Sequence, residues 1–431
     1  MDFHVEPSGT LNGKISVPGD KSISHRAIIF GAIAEGTSEF SNFLDSEDCT
    51  TTLLAFQKMG VDINLNKTNL FIHGVGLRGL KAPKQSIDAG NSGTTVRLLA
   101  GLLGAQNFNT MITGDDSLSR RPMNRIIEPL SIMGVHIDSS LGCLPLKIQG
   151  SASIKNIEYK IPVASAQVKS CILLASLYSR GKSNLYELNI TRDHSERMLQ
   201  AMQCPISVKK NCISIEPPKL LKPLKMNIPG DFSSAVFLIA ATLISNKSSV
   251  LIKGVGINST RIGFLEIAKK MGAIIKLSNH RKFGSEPVAD ILIQSSSLRS
   301  ITLDDPELIS LSIDEFPAIF ILAAYAKGIS RFSNLAELRL KESDRITSMV
   351  EGMIKIGIQV KENSEGVVIT GGKPKGGIVN CFSDHRVAMS FAIAAIGAYD
   401  KIIVKDVESV NTSFPRFLKT MQEIDVKIKK V

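Results

Sequence analysis

An apolar helix rich in small residues, opening at a polar turn, recurs six times along the 431-residue chain. No other feature limits the possible folds as strongly. The copies open at DKSISHRAIIFGAIA from Asp20, NSGTTVRLLAGLL from Asn91, SAQVKSCILLASL from Ser165, DFSSAVFLIAATLI from Asp231, DEFPAIFILAAYA from Asp314 and DHRVAMSFAIAAI from Asp384. Their openings lie about 70 residues apart, as six repeated units in a chain of this length require. Each copy is followed by a short strand and a second helix with a polar face that ends in Met-Gly or a near equivalent. These second helices are Thr51 to Met59, Met123 to Met133, Gly263 to Met271 and Arg345 to Ile356, with weaker versions through Glu196 to Met202 and Pro415 to Ile424. A helix that is apolar nearly all round must be buried, whereas an amphipathic one lies outside. The pattern therefore predicts an α/β protein turned inside out, with buried helices within a shell of strands and six β-α-β-α-β-β units; the plainer alternative is six ordinary helices on one Rossmann-like sheet.

Two of the six openings share a Pro-Gly-Asp turn, at Pro18 to Asp20 and at Pro229 to Asp231, with three repeats between them and three after. These turns read as crossing points between two domains of three repeats each. One domain would span 20–228, and the other would combine 1–19 with 229–431.

The chain is 43% hydrophobic and 21% charged, the balance of a globular protein with ample core. The N-terminal stretch MDFHVEPSGT has no cationic region leading into an apolar run, and no apolar stretch reaches the ~18 residues of a membrane span, so a cytoplasmic protein is expected. The six cysteines (Cys49, Cys143, Cys171, Cys204, Cys212 and Cys381) form no CxxC pair and read as reduced core residues. Seven histidines without HExxH or a His/Cys cluster argue against a protein-ligated metal. The net charge of +11 admits nucleic acid, an anionic surface or small anions as partners. The basic residues stand singly in Gly/Ser/Asp-rich turns before apolar helices, and no Trp is present to stack bases, which favours small phosphates or carboxylates.

Two motifs are decoys. Gly74 to Gly79 spells GxGxxG, but Pro83 follows and no helix opens on the third glycine, so it does not read as a dinucleotide site. Gly371 to Gly377 lacks the GK[ST] ending of a phosphate loop and reads as a solvated hairpin.

Helix N-termini offer unpaired N–H groups to anions, so the polar openings are candidate binding turns. They carry Lys21, Ser22 and Arg26; Asn91 to Thr94; Ser165, Ala166, Gln167 and Lys169; Asp314 and Glu315; and Asp384 to Arg386. Arg120, Arg121, Arg192, Lys341 and Arg345 add cations from separate loops. Among the carboxylates, Asp314 at a buried-helix opening and Glu342 between Lys341 and Arg345 are the candidate proton-transfer groups, because burial and opposite charge can set their pKa values apart. The plainer alternatives are that Asp314 is only a helix cap and Glu342 a structural ion pair. His385 reads as a supporting residue. Arg97 and Lys169 lie one turn inside buried helices and either reach the site or support it.

The motifs PGDKSISHR, GNSGTTVRLL, LSRRPM, ASAQVKS, ITRDHSERML, PGDFSSA, IDEFP, LRLKESDRI, SDHRVAMS and TSFPRF closely resemble those of the 5-enolpyruvylshikimate-3-phosphate synthases, over essentially the whole chain. The resemblance implies a two-domain inside-out α/β barrel with three repeats per domain. It also implies transfer of the enolpyruvyl group of phosphoenolpyruvate to the 5-hydroxyl of shikimate 3-phosphate, in the shikimate pathway, by a monomer without cofactor, metal or nucleic acid.

Carried over residue by residue, it implies that shikimate 3-phosphate contacts Lys21, Ser22, Arg26, Ser165, Ala166, Gln167, Arg192, Asp314 and Lys341. Phosphoenolpyruvate would meet Lys21, Gly93, Arg121, Gln167, Arg345 and Arg386, and Asp314, Glu342 and Lys21 would be catalytic. Ala166, Leu98 and Thr412 depart from part of the family and resemble the branch holding several glyphosate-tolerant members, whereas Gly93 lacks the alanine that such members often have. The sister transferase acting on a UDP-amino sugar uses a loop cysteine, and GDDSLSRRPM has none. An RNA-binding or RNA-cyclase-like reading rests on charge and repeat alone.

Overall fold

The six apolar segments form six helices: Lys21–Ala32, Gly93–Gly104, Ala166–Ser176, Phe232–Ile244, Phe316–Tyr325 and His385–Ala394. In the computed structural model, which describes residues Met1–Val431, nearly every residue of these helices is buried. The second helices lie at Glu47–Lys58, Asn124–Ile132, His194–Ala201, Gly263–Lys270, Arg345–Lys355 and Phe417–Gln422, each with a polar face.

Four of the six openings begin on the residue read from the sequence. Asp20, Ser165, Asp231 and Asp384 are N-caps whose side chains accept from backbone N–H groups of the first turn. In the second copy the cap is Ser92, one residue past Asn91. Asp314 departs from expectation: it sits in a 3-10 turn, Ile313–Glu315, and the α-helix begins two residues later at Phe316. Pro317, in the first turn of that helix, has no N–H for an aspartate to cap.

Strands gather into six four-stranded sheets. In four of them the strand before a buried helix pairs in parallel with the strand after it, as in Ile87–Asp88 with Thr110–Thr113 and Glu158–Ile161 with Ser183–Glu187. The remaining two sheets exchange their leading strands. Asn12–Ser16, which runs toward the Lys21–Ala32 helix, pairs in parallel with Ser249–Gly256 after the Phe232–Ile244 helix. Lys225–Asn227, which runs toward Phe232–Ile244, pairs in parallel with Glu35–Ser41 after Lys21–Ala32. The last sheet is completed by the N-terminal strand Phe3–Val5, antiparallel to both Ile402–Lys405 and Ile428–Lys430.

The chain divides into two units. The first comprises Met1–Pro18, Pro229–Lys282 and Pro287–Val431; the second comprises Gly19–Ile228 with the short segment Phe283–Glu286. That short segment, the tip between strands Ile274–Phe283 and Glu286–Gln294, has no signal in the sequence pattern. Each unit has three sheets and its own core built around three buried helices.

The helices pack closely because their contact faces are small. A Cβ on Gly101 would lie 2.1 Å from the carbonyl oxygen of Cys171, so the Gly93–Gly104 and Ala166–Ser176 helices touch backbone to backbone there.

Neither decoy carries a ligand fold. The strand Asn69–Val75 is followed by no helix before Gly93, so Gly74 to Gly79 opens none. Gly371 to Gly377 is a connection rather than a hairpin, because Val367–Thr370 and Gly377–Asn380 belong to different sheets. All six cysteines are free, and Cys143 and Cys212 are only partly buried. No helix is long and apolar enough to cross a membrane.

Candidate active site

In the second unit, side chains lace together the first turns of its three buried helices. Arg26, 3% exposed, donates from Nη2 to Ser170 Oγ and from Nε to Ser195 Oγ, both at 2.7 Å, joining the first helix to the third. Arg97 Nη1 donates to Gln167 Oε1 at 3.0 Å, and Gln167 Nε2 donates to Thr94 Oγ1 at 3.0 Å, joining the second to the third. His25 Nδ1 lies 2.7 Å from Thr52 Oγ1, which lies 2.6 Å from Thr95 Oγ1 and ties the first helix to the second. The N-terminal ends of three helix dipoles are thereby held on one side of the unit.

The electrostatics of this group favour anions. Burial pushes the Arg26 guanidinium down to about 10, against the pull of nearby Glu196 and Asp20 and with the push of Arg192. Burial, with Lys21 and Arg26 adding to it, holds His25 well below the usual histidine range and therefore neutral. Lys21 pairs with Asp48 at 3.0 Å. Arg121, 9% exposed, donates to Asn91 Oδ1 at 2.6 Å, while its buried Nε has no hydrogen-bond partner. Such an unmet charged donor is costly in isolation and is relieved by an arriving acceptor. A Cβ on Gly93 would lie 2.6 Å from Arg97 Nη1 and 3.4 Å from Arg121 Nη1, so a side chain there would press on the Arg97 guanidinium and touch that of Arg121. Ser165 caps its helix, Ala166 is the first helical residue, and Ser22 and the half-buried Arg192 complete the group.

In the first unit, one guanidinium is the centre. Arg345 is 1% exposed and pairs with Asp384 Oδ2 at 2.8 Å, Glu342 Oε2 at 2.5 Å and Asp314 Oδ1 at 3.4 Å. Burial disfavours its charge, yet Asp384, Glu342 and Asp314 together hold it above the ordinary arginine range. Lys341 Nζ lies 3.7 Å from Asp314 Oδ1. Arg386 donates to the Asp314 carbonyl at 2.8 Å and lies 3.6 Å from Glu315 Oε1. Glu315 accepts from Ser233 Oγ, and Arg261 Nη2 bridges Ser233 Oγ at 2.8 Å and Asp231 Oδ1 at 2.7 Å. Here too the starts of three buried helices are cross-linked, through Asp231, Glu315 and Asp384.

The site residues expected from the sequence therefore fall into two groups. Lys21, Ser22, Arg26, Gly93, Arg121, Ser165, Ala166, Gln167 and Arg192 belong to the second unit, and Asp314, Lys341, Glu342, Arg345 and Arg386 to the first. Asp314 is not a helix cap, since its carboxylate faces Arg345 and Lys341. Sequence reasoning missed Ser170 and Ser195 as partners of Arg26, and the Arg261–Ser233–Glu315 chain. Ser170, Ser195 and Ser233 fall within the motifs ASAQVKS, ITRDHSERML and PGDFSSA, but nothing local to them names a partner. No group of three or more His, Cys, Asp or Glu side chains is placed to hold a metal ion.

Two inside-out α/β units, each with three buried helices cross-linked at their starts by charged and polar side chains, are the fold that known transferases of enolpyruvyl groups share. The enolpyruvyl transferase NikO from Streptomyces tendae superimposes with a TM-score of 0.81 over 99% of this chain and 98% of its own, at 13% identity, a likeness of fold alone. A family model described as EPSP synthase (3-phosphoshikimate 1-carboxyvinyltransferase) matches residues 5–421. A 3-phosphoshikimate 1-carboxyvinyltransferase of Legionella pneumophila (strain Lens) is 48% identical over 429 residues, 99% of each chain, and one of Coxiella burnetii (strain RSA 493 / Nine Mile phase I) is 45% identical over 433 residues, 100% of this chain and 99% of its own. The solved EPSP synthase of Acinetobacter baumannii matches with a TM-score of 0.89 at 44% identity over 99% of both chains. The chain belongs to the EPSP synthase family.

Proposed function

We propose that this protein transfers the enolpyruvyl group of phosphoenolpyruvate to the 5-hydroxyl of shikimate 3-phosphate and releases phosphate, a step toward chorismate and the aromatic amino acids. The observation that carries the reading is the cluster around Arg345, in which Asp314 and Glu342 share one buried guanidinium beside Lys341. Two carboxylates held among cations suit a reaction that moves two protons while binding phosphates and carboxylates.

Shikimate 3-phosphate is held by Lys21, Ser22, Arg26, Ser165, Ala166, Gln167, Arg192, Asp314 and Lys341. Phosphoenolpyruvate is held by Lys21, Gly93, Arg121, Gln167, Arg345 and Arg386. The unmet Nε of Arg121 supports the second assignment. Asp314 takes the proton from the attacking hydroxyl. Glu342, with Lys21, handles the proton at the methylene carbon, and the reaction passes through a tetrahedral intermediate that loses phosphate. Domain 20–228 binds mainly shikimate 3-phosphate, consistent with Arg26 and Arg192 lying in the second unit. The protein acts as a cytoplasmic monomer and takes no nucleic acid, the last supported by cations that are dispersed along the chain.

Phosphate release from phosphoenolpyruvate, followed with and without shikimate 3-phosphate in the presence of a chelator, tests this. Release that requires shikimate 3-phosphate and survives the chelator is expected. No release, or release abolished by the chelator, would refute the metal-free transferase reading.

A further inference from the structure

Lys169 is 0% exposed and lies one turn inside the Ala166–Ser176 helix. Its Nζ lies 2.7 Å from Glu196 Oε1 and 3.1 Å from Glu187 Oε2, and donates to the Thr191 carbonyl at 3.2 Å. Glu187 in turn accepts through Oε1 from the Thr191 backbone N–H at 3.1 Å and from the Thr191 hydroxyl. The peptide groups on both sides of Thr191 are thus fixed by a single ion cluster, and the next residue is Arg192. Glu196 follows Ser195, which accepts from Arg26 Nε at 2.7 Å and contacts Ser170 at 2.7 Å. Lys169 therefore joins the helix that presents Ser165 to Gln167 to the loop and helix that present Arg192 and Ser195.

The charges give this arrangement a second consequence. One cation faces two carboxylates that are 7% and 3% exposed, and Glu196 Oε2 has no hydrogen-bond partner. Without Lys169, the two glutamates would be buried without their cation, and the cations left near Glu196 are Arg197, which already pairs with Asp193, and Arg26. A carboxylate drawn onto Arg26 would compete with a bound phosphate.

We propose that Lys169 is a positioning residue for shikimate 3-phosphate. It sets the backbone at Arg192 and keeps Glu187 and Glu196 away from Arg26 and Arg192, without touching the substrate. This rests on the assignment of Arg26 and Arg192 to that substrate.

The test compares Lys169→Met, Glu187→Gln and Arg192→Ala in the full-length enzyme. Shikimate 3-phosphate binding is measured by calorimetry, and the two Michaelis constants are measured separately. Lys169→Met is expected to weaken shikimate 3-phosphate binding by roughly tenfold or more, since small misplacements of binding groups cost this much. The Michaelis constant for phosphoenolpyruvate should move by less than about threefold, a split that general loosening of the fold would not produce. Glu187→Gln keeps an acceptor for Thr191 but loses the charge, and should show the same split at smaller size; it serves if Lys169→Met does not fold. Wild-type shikimate 3-phosphate binding in folded Lys169→Met or Glu187→Gln, with binding lost in Arg192→Ala, would overturn the positioning role while leaving the site reading intact. Wild-type binding in Arg192→Ala would overturn the site reading and the proposal with it. Equal rises in both Michaelis constants would also overturn it.

Discussion

Replacing Asp384 by Asn tests how the Arg345 cluster is held together. The Asp384 carboxylate is fully buried and uses both oxygens: Oδ2 accepts from Arg345 Nε at 2.8 Å and Ser343 Oγ at 3.2 Å, and Oδ1 accepts from the backbone N–H groups of Arg386 at 2.9 Å and Val387 at 3.4 Å. Asn caps a helix about as well as Asp, so the cap on the His385–Ala394 helix should survive. The ion pair does not, because an amide NH2 placed at the Oδ2 position would face the Arg345 Nε–H donor to donor. Breaking a buried pair costs about 3–5 kcal/mol, and Glu342 and Asp314 still neutralise Arg345, so the lower end applies, about 3 kcal/mol. Urea unfolding, which leaves electrostatics unscreened, should register that loss. Ser343→Ala, which removes only a neutral hydroxyl from the same oxygen, should cost about 1 kcal/mol. Because Arg345 is also assigned to phosphoenolpyruvate, the Michaelis constant for that substrate should rise in Asp384→Asn. A stability within about 1 kcal/mol of wild type together with an unchanged Michaelis constant would refute the view that Asp384 anchors this arginine.

Other outcomes follow from the same geometry. Asp314→Asn and Glu342→Gln should each lower turnover far more than substrate binding, as single-turnover kinetics beside equilibrium titration would show; wild-type turnover in either variant removes that residue from the mechanism. Gly101→Ala drives a methyl to 2.1 Å from the Cys171 carbonyl, where only backbone could yield, so its melting temperature should fall by at least about 3 °C, and an unchanged value would contradict the close helix contact. His25 is held neutral in the folded protein while an unfolded histidine takes up a proton near pH 6.5. The folded pKa is depressed, so the contribution of His25 to stability is present above about pH 6.5 and is lost as pH falls below it. Urea unfolding between about pH 7 and pH 5 should therefore fall less steeply for His25→Gln than for wild type, and parallel curves would refute the assignment.

Much of the fold is legible in the sequence because its rules are local. Small-residue apolar helices advertise their burial, and Asp20, Ser165, Asp231 and Asp384 cap helices with their own side chains, which needs no knowledge of the rest of the chain. The failures lie where a local rule meets a competing one or where the information is distant. Asp314 reads as a helix opener, but with Pro317 in the first turn the helix starts at Phe316 and the Asp314 carboxylate faces Arg345 instead. The exchange of Asn12–Ser16 and Lys225–Asn227 between sheets is invisible, since parallel pairing joins segments far apart in sequence. The site's charged residues could be named from their motifs, but their partners could not. Glu187 and Glu196 reach Lys169 from the far end of a strand and from a second helix, and nothing near Arg26 in sequence indicates Ser170 or Ser195.

Phosphorus NMR of the purified protein with phosphoenolpyruvate and shikimate 3-phosphate examines the central claim most directly, because it sees both substrates and both products at once. One inorganic phosphate should appear for every shikimate 3-phosphate converted to its enolpyruvyl ether, and none when shikimate 3-phosphate is left out. Phosphate released without shikimate 3-phosphate, or phosphate without the matching ether, would contradict the claim.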